Sequence, residues 1–126
     1  MFKLDSSTIA RWAVAFVFFY HGLVPKLLLV HASEIELVSA TPTMGIDPVI
    51  LVRLAGFAEV ILAVVIIVFW QHKWPLHLAG VALFFLIGAT LVFAPEITVA
   101  AFNPVSLTAT TGALIWIALR PYSNGV

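Results

Sequence analysis

A chain of 126 residues that is 63% hydrophobic and 10% charged departs from soluble domains, where about 25% of residues carry charge, and reads as an integral membrane protein. Its six basic and six acidic residues cancel, which leaves no basic stripe for nucleic acid and no polybasic tail for a lipid surface. The chain has no cysteine, so disulfides, thiol relays, iron–sulfur ligation and cysteine-based zinc sites are excluded.

The first apolar segment runs from Ile9 to Val30 (IARWAVAFVFFYHGLVPKLLLV), close to the ~20 residues that span a hydrocarbon core. Lys3 and Arg11 ahead of it, and the small residues around Val30-His31-Ala32, give it some features of a cleavable signal. Its spanning length and the interruptions at His21, Pro25 and Lys26 point instead to a retained helix. Residues 31–47 (HASEIELVSATPTMGID) form a polar loop, in which Ala32 to Leu37 is expected as a short interfacial helix ended by Thr41-Pro42 and Gly45. Three further apolar segments follow at about 48–70, 76–94 and 98–119. The expected architecture is therefore all-α, a single transmembrane four-helix bundle over residues 1–126.

Orientation follows from the basic residues of the short loops. Lys3 and Arg11 precede or open helix one, Lys73 lies between helices two and three, and Arg120 follows helix four. The connections at the opposite end carry Glu34, Glu36, Asp47 and Glu96. This predicts both termini inside, with the 31–47 loop outside. Trp12, Trp70, Trp74, Trp116 and Tyr122 gather toward the inner face, where amphipathic rings anchor helices at headgroup level.

Ionisable residues inside spans are costly and mark function by default. Counting ~1.5 Å per residue from each segment's centre puts His21 and Glu59 near the midplane, with Lys26 and Arg53 roughly 10 Å and 9 Å above it. Asn103 and Pro104 fall in the same outer third, and Thr108, Thr110 and Thr111 near the middle. Adjacent antiparallel helices would permit a His21–Glu59 contact. Glu59, centred in GFAEVILAVVIIVFW, is too deep for a short carboxylate to reach water, so it is either paired or neutral.

Two interpretations share this pattern. In one, Glu59 neutralises Lys26 or Arg53 and fixes helix register, or the two cations extend their stems to the interface. In the other, two cations and one deep anion line an outward cleft with about one surplus positive charge. Such a cleft suits an anion or the carbonyl oxygens of a quinone-like ring with a greasy tail, with Tyr20, His21, Lys26, Arg53, Glu59 and Asn103 as its ligand-binding residues. His21 and Glu59 would then be the candidates for proton transfer. Pro25 and Pro104 would free backbone carbonyls there, and Gly22 and Gly56 would allow close helix approach. Only His21 is deep enough for haem, which needs two facing ligands, and His72 and His77 have poor metal spacing across Trp74-Pro75. No metal site is expected.

The pattern RWAVAFVFFYHGLVPKLLL, the acidic SEIELV and the second span LVRLAGFAEVILAVVI resemble the DoxX-like family of small four-helix membrane proteins. The most specific positions are Tyr20-His21-Gly22 with Lys26, and Arg53, Gly56 and Glu59. The resemblance covers nearly the whole chain, and the expected location is a bacterial inner (cytoplasmic) membrane. Relatives in that family include a subunit of a thiosulfate:quinone oxidoreductase, a membrane partner in redox-stress complexes, and cargo receptors or chaperones, so the resemblance implies a quinone or redox association. Three roles follow. They are an accessory or binding subunit, more an accessory than an enzyme on its own; an oxidoreductase subunit passing protons through His21 and Glu59; and a structural or chaperone partner of a larger membrane protein. The bilayer, a partner membrane protein or second copy, and a lipophilic or anionic small molecule are the expected partners. Ala79, Gly80, Ala82, Gly88 and Ala89 offer a small-residue face for a homo-oligomer.

Overall fold

The computed structural model describes residues 4–121; Lys3 and Tyr122, used above for orientation and anchoring, lie outside that range. Five α-helices are present, with no strand among the described residues: α1 (Ser6–His21), α2 (Ala32–Ala40), α3 (Pro48–Val68), α4 (Trp74–Phe93) and α5 (Pro104–Ala118). A π-helical segment, Gly22–Leu28, continues α1, and a 3-10 turn, Pro95–Val99, precedes α5.

Side chains at the helix starts set the boundaries. Asp5 accepts from the Thr8 N–H at 2.8 Å, Asp47 from Val49 at 2.7 Å and Asn103 from Ser106 at 2.9 Å, each satisfying a donor that the first turn leaves unpaired. Pro48 and Pro104 follow the last two caps, where a missing N–H costs nothing. Pro25 has the opposite effect. Inside α1's continuation it cannot donate, and the helix widens: Leu29 N–H reaches back five residues to the Val24 carbonyl at 3.0 Å, and His31 N–H six residues to Pro25 at 2.7 Å.

Three helices are long and apolar enough to cross a membrane, over 6–28, 48–68 and 74–93. The fourth expected span, 98–119, is not one continuous helix. Pro95 starts a 3-10 turn, and Asn103-Pro104 starts α5 afresh, leaving a 15-residue helix of ~22 Å against a hydrocarbon core of ~30 Å. The loop helix is present and longer than expected, ending at Ala40 with Thr41 as its cap.

The central helix is α1, packed between α3 and α5, with α4 closing against α5. Ala10, Val14 and Phe18 of α1 meet Leu62, Ala63 and Ile66 of α3, Leu76, Ala79 and Leu83 of α4, and Ile115 and Ala118 of α5. Large apolar side chains such as Phe16, Phe57, Ile61, Phe84 and Phe85 point outward, the arrangement expected where lipid is the solvent. At the end carrying the α3–α4 turn, Trp12 lies 5.9 Å from Trp70 and Phe69 lies 5.4 Å from Trp74 by ring centroids.

Candidate functional site

Two glycines bring α1 and α3 into backbone contact. A Cβ on Gly22 would stand 2.6 Å from the Gly56 carbonyl oxygen, and one on Gly56 would stand 2.8 Å from the Gly22 oxygen, so no larger residue fits either position as built. Lys26, one turn beyond Gly22, is thereby carried against Glu59, three residues beyond Gly56. Its ammonium lies 2.9 Å from Glu59 Oε1 and donates to Oε2 at 3.0 Å. Lys26 is only 6% exposed, so it turns into the bundle and does not extend its stem to the interface.

A second carboxylate comes from the loop helix. Glu34 of α2 places Oε2 3.6 Å from the Lys26 ammonium, a looser ion pair beyond hydrogen-bond length. Beside this cluster lies a cavity of about 660 Å³. Its polar wall includes Lys26, Glu34, His21, His31 and Asn103; Leu37, Leu86, Ile97 and Leu107 are among its apolar residues. Thr90, fully buried on α4, also lines it and donates to the Leu86 carbonyl at 2.8 Å.

The residues expected at one site separate into three groups. His21, Lys26 and Asn103 line the cavity. Asn103 does so from the start of α5, where its side chain also donates to the Ala100 carbonyl at 3.0 Å. Glu59 is behind Lys26, outside the lining, and no hydrogen bond joins it to His21 among the described residues; the ring instead lies edge-on to Tyr20 at 6.3 Å. Tyr20 and Arg53 point outward, and neither lines the cavity. The charge balance therefore differs from the sequence expectation. Arg53 is absent from the cluster and Glu34 is present, so one ammonium faces two carboxylates, and the surplus positive charge is not built.

Arg11 is the residue whose role the sequence concealed. Expected as a flanking charge, it is 6% exposed and donates to the carbonyls of Ile66 at 3.0 Å, Phe69 at 3.0 Å and His72 at 2.7 Å. Its guanidinium also stands 5.2 Å from the Trp70 ring centroid. Arg11 thus ties α1 to the carbonyl of Ile66, in the last turn of α3, and to those of Phe69 and His72 just beyond it, where the helix dipole favours positive charge.

The family model described as the DoxX-like family matches residues 15–116. The chain belongs to the DoxX-like family. No curated protein and no solved structure matches it. In this DoxX-like chain the matched range contains the glycine contact, the Lys26–Glu59 pair, Glu34 and every residue lining the cavity.

Proposed function

We propose that this DoxX-like membrane protein is a small-molecule-binding accessory subunit. Its cavity beside Lys26 takes a neutral, lipophilic ring bearing carbonyl oxygens, a quinone-like ligand. The observation that carries this reading is a buried ammonium bordering a cavity of about 660 Å³, within the range of small-molecule sites. The apolar walls suit a ring and the start of a tail, and Lys26 supplies the donor. A free anion is disfavoured, because Glu34 and Glu59 already face that ammonium; a neutral carbonyl oxygen accepts from it without adding charge. His21 borders the same space and is the side chain suited to exchange a proton with a bound oxygen. Glu59 acts through Lys26 by holding it in place.

The same proposal places α5 and the 3-10 turn before it as a fourth crossing, with both termini inside a bacterial cytoplasmic membrane. The α2 end, with its acidic residues, then faces outward.

Binding of a short-chain benzoquinone to purified protein in lipid nanodiscs tests the reading. Thermal stabilisation should saturate with ligand in the parent protein and vanish in Leu86→Trp, whose indole fills the cavity. Equal stabilisation of both proteins would remove the cavity as the site.

A further inference from the structure

The strap between α1 and α3 lies over the cavity and packs on α3 and α4 from the outside. None of the α2 residues is fully buried, yet Ser33, Glu34 and Leu37 line the cavity. Glu34–Lys26 is the ion pair that ties α2 to the bundle among the described residues. Left-handed backbone lies on both sides of α2: Val30 has a φ of 45°, and Met44 and Gly45 have φ of 54° and 82°. A β-branched residue at positive φ is strained and persists where surrounding structure holds it.

The geometry on Lys26 is unequal. An ammonium has three donors. Glu59 takes the close contacts at 2.9 and 3.0 Å, while Glu34 stands at 3.6 Å. Glu59 belongs to a spanning helix and arrives by a backbone contact that cannot yield; Glu34 belongs to a helix with no buried anchor. Of the two carboxylates, Glu34 is the one that can leave.

We infer that α2 is a lid on the cavity and that Glu34 is its latch, a built-in competitor occupying on Lys26 the place that a ligand's acceptor oxygen would take. An entering carbonyl displaces the Glu34 carboxylate, and α2 swings on the segments around Val30 and Gly45. The competition for a ligand rests on the binding reading given above, whereas the latch itself does not.

The absence of native cysteine makes the test direct. Thr90→Cys puts one near-isosteric thiol on the cavity wall, and its reaction with a water-soluble thiosulfonate in nanodiscs reports opening. Adding Glu34→Gln is expected to raise the labelling rate roughly two- to fivefold, the range set by loss of a partly exposed ion pair. Glu36→Gln, on the exposed side of α2, leaves the rate unchanged. Short-chain benzoquinone affinity should rise by a similar factor in Glu34→Gln. Labelling that does not respond to Glu34→Gln overturns the lid, even where quinone binds. Faster labelling with no quinone bound by either protein sustains the lid and removes the binding reading. Faster labelling with quinone bound at equal affinity overturns the competition on Lys26.

Discussion

Lys26 of α1's π-helical continuation and Glu59 of α3 form a two-oxygen ion pair, at 2.9 and 3.0 Å, because Gly22 and Gly56 remove the side chains that would hold their helices apart. The pair draws on both covalent neighbours and helix packing, and its parts make separable predictions.

Removing one partner leaves the other charge unpaired within a spanning segment. Lys26→Met should destabilise the protein by roughly 3–5 kcal/mol, and Lys26→Met with Glu59→Gln should recover most of the loss, since replacing both members of a buried pair is often close to neutral. Thermal unfolding in nanodiscs measures both. A double variant as unstable as the single one would show that the pair is not the source of the loss.

The glycine contact should be intolerant of one methyl group. Gly22→Ala forces its Cβ against a backbone oxygen of α3, which a side-chain rotation cannot relieve, so a cost of about 1–3 kcal/mol is expected. Gly88→Ala, where a Cβ meets nothing within 4 Å, should be neutral or slightly stabilising. Paired unfolding curves compare them, and equal effects would contradict the packing account.

At the other end, Arg11→Lys keeps the charge but loses the planar fork that reaches three carbonyls. A loss of about 2–3 kcal/mol is expected, because a lysine ammonium cannot keep all three of these charge-assisted hydrogen bonds. If the residue acted only as a topological charge, Arg11→Lys would unfold like the parent.

A pH effect is predicted at the start of α1, outside the spanning segments. Hydrogen bonds from Thr8, side chain first and backbone second, hold the Asp5 carboxyl below its ordinary value. The stabilisation this gives is complete above the ordinary carboxylate value and is lost as pH falls through the lowered one. Acid unfolding followed by circular dichroism should lose that component in Asp5→Asn, which caps the helix without titrating.

What the sequence disclosed and concealed has a common cause. Spanning length and composition located α1, α3 and α4, since both are properties of contiguous residues. The break at Asn103-Pro104 was missed because hydropathy runs through it; the signal that marks it is a cap followed by proline at the first helical position. Depth along a helix could be counted, and it placed Lys26 and Arg53 level; it carries no information on azimuth, and the two point in different directions. Glu34 escaped the count because it sits in a loop whose path depends on Pro25 and Val30. Arg11 escaped it because the carbonyls it binds belong to backbone that is 55 to 61 positions away, and a backbone acceptor is common to every residue type.

Photoaffinity labelling with an azido-benzoquinone carrying a short isoprenoid tail, in native membranes and read by peptide mass spectrometry, tests the central claim most directly. The account predicts adducts on the cavity wall around His21 to Lys26, Leu86 to Thr90 and Asn103 to Leu107, competed away by unlabelled quinone. Adducts confined to the outward face, at residues such as Phe57 and Phe84, and insensitive to competitor would contradict it.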